Sequence, residues 1–152
     1  MTTMTKRVGK IERKKKAKVG LDYHGVIDTQ PELFSLISNL LVDAGHEVHI
    51  ITGTRITEKF KEHLIELGIT YTHIFSISDY HHDILHTPMK GYDEGDPWID
   101  EILWNQTKAW YCQSVDIDWH LDDSAVYGDH FKTIRTAFLL IKPLPKQNKD
   151  QG

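Results

Sequence analysis

Residues 20–29 read GLDYHGVIDT, and the reading of this stretch decides the fold. An apolar run, Ala17 to Asp22, delivers a carboxylate into a tight turn with Gly25 just behind it, and Pro31 then opens a helix. Working outward, Leu33, Ile37, Leu40, Leu41 and Ala44 recur at helical spacing, and Gly45 sits where a left-handed C-cap is wanted. Glu47 to Thr52 is nearly continuous in apolar residues, as a strand covered on both faces would be. Ile56, Phe60, Leu64 and Leu67 give a second helix face with Gly68 as its stop, and Thr72 to Ile77 a third strand. Residues 79–97 fit no period and are expected to form a loop or small insertion. A helix resumes over Trp98 to Cys112, and Ile117 to Leu121 and Thr136 to Ile141 supply two further strands. Strands alternating with helices predict an α/β protein: a three-layer, Rossmann-like fold with a mostly parallel five-stranded sheet flanked by helices.

The 152 residues are 39% hydrophobic, 26% charged and 10% aromatic, proportions of a globular chain with one domain. The one cysteine, Cys112, excludes an intramolecular disulfide framework and fits a reducing, cytoplasmic setting. The longest clean apolar run, Ala137 to Ile141, is far short of the ~20 residues of a membrane helix, so no membrane partner is expected. The formal charge of -4 is uneven: eight Lys or Arg against Glu12 in residues 1–18 leave the body at -11. Residues 1–16 read as a basic, disordered tail, 17–142 as the α/β domain and 143–152 as a flexible C-terminal tail. The basic tail is either a solubilising arm or an electrostatic contact with nucleic acid.

In open parallel sheets, ligands bind outside the carboxyl ends of the strands, so the strand ends carry the functional reading. Asp22 ends the first strand. Thr52 ends the second in VHIITGTR, with Gly53 and Arg55 just beyond it, and the pair Asp122 and Asp123 ends the fourth in DWHLDDS. Lys108 lies on the preceding helix in WNQTKAWYC, with Lys61 and Lys90 as alternative cations. Carboxylates on separate strands can share a magnesium ion, while a lysine and a threonine hydroxyl can hold phosphoryl oxygens. Gly25, Gly53 and Arg55 flank these positions and are expected to touch the substrate.

Asp22 with Gly25, Thr52, Lys108 and Asp122 with Asp123 together resemble the haloacid dehalogenase (HAD) superfamily over about residues 18–141. The resemblance implies a Mg2+-dependent phosphohydrolase acting on a small phosphorylated substrate, a phosphomonoester, with a nucleotide or nucleic-acid end favoured by the basic tail. It assigns nucleophilic attack to Asp22, phosphoryl binding to Thr52 and Lys108, and metal binding to Asp22, the His24 carbonyl, Asp122 and Asp123. The sequence departs from the family pattern at His24, where an acid/base aspartate is usual. An imidazole can give and take a proton near neutrality, so His24 is expected to assume that role. The alternative is a catalytically weak or inactive relative that binds a phosphorylated ligand or a partner.

The remaining candidates read as structural. His81, His82 and His86 lack zinc-ligand spacing, and most histidines are expected at the surface. Trp98, Trp104, Trp110 and Trp119 read as core and sheet-facing anchors, with Tyr80, Tyr92 and Trp98 a possible lid. Because residues 1–16 join no apolar pattern, deleting them is expected to leave the melting temperature within a degree or so while weakening affinity for nucleic acid and flattening its salt dependence. Melting curves and salt titrations of the truncated chain check this; a large loss of stability would show that the tail packs on the body.

Overall fold

The computed structural model describes residues 16–142. The two predicted tails therefore lie outside the described residues, except for Lys16. Strands β1 (Lys18–Leu21), β2 (Glu47–Thr52), β3 (His73–Ser76), β4 (Trp119–Asp122) and β5 (Ala137–Leu140) form one sheet in the order β3-β2-β1-β4-β5. Every neighbouring pair is parallel, so the sheet is parallel throughout. The chain steps outward from β1 to β2 and β3, then restarts on the other side with β4 and β5. The order thus reverses between β1 and β4, the place where such sheets open a crevice at their carboxyl edge.

Three helices cover the sheet: α1 (Pro31–Asp43), α2 (Glu58–Glu66) and α3 (Glu101–Val115). Side chains alternate across a strand, and β2 shows the division. Val48 and Ile50 join Leu21, Val26, Phe34 of α1 and Leu64 of α2 in one core layer. Ile51 joins Phe75, Ala109 and Cys112 of α3, and Phe131 in the other. Gly20 points into this second layer, where a Cβ would lie 2.6 Å from Ile51 Cδ1 and 2.9 Å from His120 Nδ1. Glycine there gives its neighbours the space. Among the described residues no helix is long and apolar enough to cross a membrane.

The helix stops predicted at Gly45 and Gly68 are present, with φ of 87° and 75°. Strand β2 has the expected bounds, and the other strands differ at one or both ends by one or two residues. Helix α3 starts later than expected because Trp98 pairs with Lys90 in an isolated antiparallel bridge and Asp100 caps Leu103 N–H at 3.0 Å. It also runs past Cys112 to Val115, where Asp116 adopts a left-handed φ of 62°. The segment 79–97 is mostly irregular, as expected, but opens on a short helical turn, Ile77–Asp79, followed by a π-helical turn, Tyr80–Ile84.

Two expectations about packing are corrected. Leu33 and Leu40 of α1, and Ala44 at its C-cap, were expected to face the core, yet all three are exposed, and Phe34 with Ser38 is buried instead. A leucine-rich helix offers two apolar stripes one residue apart, and Ser38 decides between them. Its hydroxyl donates to the Ser35 carbonyl at 3.1 Å and accepts Thr70 N–H at 3.1 Å, so this polar group is satisfied when buried. The tryptophans are the second correction: Trp98, Trp110 and Trp119 are exposed, and only Trp104 packs inward. Helix α3 turns Thr107, Lys108, Ala109 and Cys112 to the sheet, which displaces the large rings to its flanks. Most histidines are exposed or half-buried, as expected, while His49, His81 and His120 are buried.

Cys112 lies wholly inside the second core layer, and burial pushes its thiol up to about 12. Only the thiolate reacts with disulfide reagents. Native protein at pH 8 is therefore expected to release no chromophore from a chromogenic disulfide reagent over minutes, and one equivalent once guanidinium unfolds it. Rapid reaction of the native protein would contradict this packing.

Candidate active site at the carboxyl edge

Asp22 follows β1 directly, and its N–H donates to the Leu121 carbonyl of β4 at 3.0 Å, so the residue is held at the switch point. The turn after it, Tyr23–Ile27, is a single π-helical turn with non-helical torsions at His24 and Gly25. Asp28 folds back to secure the turn, its Oδ1 accepting Gly25 N–H at 2.7 Å and its Oδ2 lying 3.4 Å from His24 Nδ1. Gly25 has φ 81°, and a Cβ there would stand 2.0 Å from Asp123 Oδ2. Only glycine lets the Asp123 carboxylate press against this turn.

Lys108 is the hub. It is buried, yet Nζ lies 2.8 Å from Asp122 Oδ2, 3.1 Å from Asp22 Oδ1 and 4.3 Å from the centroid of the Tyr127 ring. The Asp122 carboxylate is fully engaged: Oδ2 also meets His120 Nε2 at 2.9 Å, and Oδ1 accepts Ser124 N–H at 3.1 Å. Asp22 Oδ1 accepts Tyr23 N–H at 2.9 Å as well as the lysine, whereas no hydrogen bond to Oδ2 is found among the described residues. Asp123 likewise has no hydrogen-bond or ion-pair partner among the described residues. Ligand oxygens of Asp22, Asp122 and Asp123 all lie within 4.8 Å of one another. The sequence-predicted acidic pair thus divides into an anchored carboxylate and an uncommitted one.

The electrostatics follow from this packing. Burial works against the charge on Lys108, but Asp22 and Asp122 outweigh it and hold the ammonium above the ordinary lysine range. Burial would also raise Asp122, but hydrogen bonds from His120 and Lys108 bring it down to about 2. Asp22 carries the unresolved cost: burial and the neighbouring carboxylates outweigh Lys108 and push it up to about 7. Burial pushes His120 down, so its ring is neutral, and the bond to Asp122 places its proton on Nε2. Its Nδ1 is left buried without a partner, beside Gly20.

The other predicted site residues gather here too. Thr52 ends β2 with its hydroxyl accepting Thr54 N–H at 3.1 Å, and it lines the same cleft as Asp22, His24, Lys108 and Asp123. A Cβ on Gly53 would come 2.7 Å from Trp104 Cζ2, so Gly53 lets α3 approach the end of β2. Arg55 stacks 4.2 Å from the Tyr92 ring centroid and donates to the Tyr92 carbonyl at 3.1 Å, which ties the insertion to the cleft. The cleft has a volume of about 1140 Å³, and residues 93–97 form one wall. Of the expected lid, only this side contributes. Tyr80 stacks on Trp110 and lines a separate cavity, and Trp98 is 71% exposed and does not border the cleft. Lys61 and Lys90 do not reach the site, while Lys59 does. The His24 side chain is 69% exposed at the mouth.

Residues that the sequence reading missed are Asp28, His120, Tyr127 and Lys59. Asp28 was discoverable as a turn-closing aspartate three residues after Gly25. His120 was discoverable as the residue sharing a strand face with Asp122. Tyr127 accepts a hydrogen bond from Trp104 Nε1 at 3.0 Å, a contact across 23 residues that carries no local signal.

Asp22 is expected to cost stability where it is ionised. A carboxyl raised from 3.8 to about 7 loses stability as the pH rises between those values, and below them it contributes nothing. In metal-free protein, Asp22→Asn is therefore expected to raise the melting temperature at pH 8 by several degrees, about 2–4 °C for each kcal/mol, with a smaller gain at pH 5. Equal shifts at the two pH values, measured by calorimetry, would show that the charge is not the cause.

Comparison with family models, curated proteins and solved structures finds no match to this chain, so its functional reading rests on the site itself.

Proposed function

We propose that the protein is a Mg2+-dependent phosphohydrolase of the haloacid dehalogenase type that cleaves phosphomonoesters through an aspartyl-phosphate on Asp22. The single observation that carries the reading is the Lys108 ammonium between Asp22 and Asp122 at 3.1 and 2.8 Å, with the uncommitted Asp123 beside Gly25 in an open cleft. Structural ion pairs are normally closed off and balanced. This one sets three carboxylates close together, two of them on one ammonium, and opens on solvent.

The donor set suits magnesium, which prefers one or two carboxylates and keeps several waters. The absence of a Cβ at Gly25 leaves Asp123 and the turn backbone in close approach, the kind of cradle a small cation needs. Asp22, Asp123 and the His24 carbonyl would hold it, with Asp122 in support through Lys108. Bound there, magnesium would neutralise phosphoryl charge and favour the ionised form of Asp22.

The chain's own groups account for the remaining work. Asp22 Oδ2, free of hydrogen bonds among the described residues, attacks phosphorus in line while Lys108 and Tyr23 N–H hold Oδ1. Lys108 and the Thr52 hydroxyl bind phosphoryl oxygens. His24, at the mouth, protonates the leaving alcohol as the imidazolium and, once neutral, takes a proton from the water that opens the acyl phosphate. The 3.4 Å approach of Asp28 to Nδ1 orients the ring for this. A nucleotide or nucleic-acid end is the favoured substrate, because the cationic tail attracts polyanions to the domain.

The test is hydrolysis of a generic chromogenic phosphomonoester, then of nucleotides, sugar phosphates and phosphorylated oligonucleotides, with and without magnesium. Wild type is expected to require magnesium, and Asp22→Asn to be inactive. Asp123→Asn is expected to weaken magnesium activation by at least about tenfold. His24→Ala is expected to lower turnover by about 10² to 10⁴, with loss of the bell-shaped pH profile but not of magnesium binding. Superimposable profiles would remove His24 from the mechanism. No hydrolysis of any substrate, together with thermal stabilisation by a phosphorylated ligand, would replace the enzyme with a binding protein.

A further inference from the structure

At the opposite edge of the sheet a second group of ligating side chains converges, and the phosphohydrolase reading makes no use of it. Glu47 opens β2 and His73 opens β3, so both stand at the amino ends of parallel strands, far along the strands from Asp22. His49 follows Glu47 by two residues and shares its face. His49 and His73 are register partners across β2 and β3, and their rings stack with centroids 4.2 Å apart and planes 5° from parallel. One ligand atom from each of Glu47, His49 and His73 falls within 4.8 Å of the other two.

We propose that Glu47, His49 and His73 form a binding site for a divalent transition-metal ion of the zinc class, clamping the edge strand β3 to β2. Two imidazoles and a carboxylate are a donor set that such ions prefer over magnesium or calcium, and the set leaves a fourth position for water. His49 is buried and held at both nitrogens, Nε2 lying 2.8 Å from Glu47 Oε1 and Nδ1 2.7 Å from the Tyr111 hydroxyl. That arrangement readily exchanges a proton for a metal. In the bare site Nε2–H donates to Glu47 while Nδ1 accepts from Tyr111. In the loaded site the ring proton moves to Nδ1 and donates to the Tyr111 oxygen, freeing Nε2 to ligate. The imidazole is neutral in both forms, and the tyrosine supplies the outer-shell hydrogen bond that metal-bound histidines almost always make.

His73 is the adjustable ligand. Lone pairs of two parallel rings do not converge on one point, so the stack must open on loading. His73 has room for this: its side chain is 50% exposed, with Nδ1 2.9 Å from Thr72 Oγ1 and 3.8 Å from Glu47 Oε1. The nearby cation, Lys18, directs its ammonium to the Val115 carbonyl at 2.9 Å.

The experiment uses the full chain, stripped with a chelator and held in excess magnesium so that the carboxyl-edge site is not available to zinc. Zinc is then titrated in competition with a chromogenic chelator. One equivalent is expected to bind with a dissociation constant on the order of 1 μM or tighter. His73→Ala and Glu47→Gln are each expected to weaken it by at least about tenfold, while Asp123→Asn and the double variant His82→Ala/His86→Ala leave it unchanged. Both informative substitutions lie outside the core, and their melting temperatures without zinc report whether they fold. Zinc is also expected to slow amide exchange in β3 of the wild type and not of His73→Ala. Binding that is weaker than this, that survives both substitutions, or that is lost with Asp123→Asn or the His82/His86 pair would overturn the proposal. Phosphatase activity has no part in the readout, so a failure here is separate from a failure of the proposed function.

Discussion

A lysine ammonium buried against a parallel sheet is unfavourable unless a carboxylate meets it, and leaving such a charge with no partner costs about 3–5 kcal/mol. Lys108 meets two, Asp22 from the end of β1 and Asp122 from the end of β4. These strands are neighbours across the point where the strand order reverses, so the ion cluster spans the seam between the two halves of the sheet. Helix α3 must sit close enough to bring Nζ to both, and its small sheet-facing residues, Ala109 and Cys112, allow this. Gly53 admits Trp104 at the end of β2, and Trp104 donates to Tyr127, whose ring lies under the ammonium. The core packing of α3 and the charge network are therefore one constraint.

That network is satisfied on one side and strained on the other. Asp122 has lysine, histidine and backbone donors and is held well below the ordinary carboxylate range. Asp22, which shares the same lysine, is raised to about 7. Environments that drive two carboxylates in opposite directions are characteristic of sites that assign them different tasks. Here the well-anchored group positions the lysine, and the poorly compensated one is left with an oxygen free to react. A purely structural cluster would gain stability from one fewer acid, and under the proposed function the excess of negative charge is what a bound cation would offset.

The fold was legible because β1, β2 and their turns follow local rules: an apolar run ending on a carboxylate, glycines at helix stops, and a strand covered on both faces. Asp22, Thr52 and Asp123 could be placed for the same reason, since strand ends of a parallel sheet share one edge, and Lys108 followed from the helix that leads into β4. The side-chain face of α1 was not legible, because choosing Phe34 over Leu33 depends on Ser38 meeting Thr70 from another element. The tryptophans misled because size argues for burial, whereas a helix that has to deliver a lysine to the sheet needs small neighbours there. His120 could be paired with Asp122 by strand alternation, but its burial could not be read, because that depends on Gly20 lacking a side chain on the neighbouring strand.

The two edges of the sheet treat buried polar groups differently. At the carboxyl edge the charges exceed their partners, and His120 Nδ1 remains without one. At the amino edge His49 has a partner on each nitrogen, and Glu47 bridges toward a second imidazole. An under-compensated cluster beside an open cleft favours transient ligands that bring opposite charge and leave. A fully hydrogen-bonded cluster whose proton can be traded for a metal favours a resident ion and a fixed geometry. The same parallel sheet, by sending every carboxyl end one way and every amino end the other, keeps these two chemistries apart along the length of its strands.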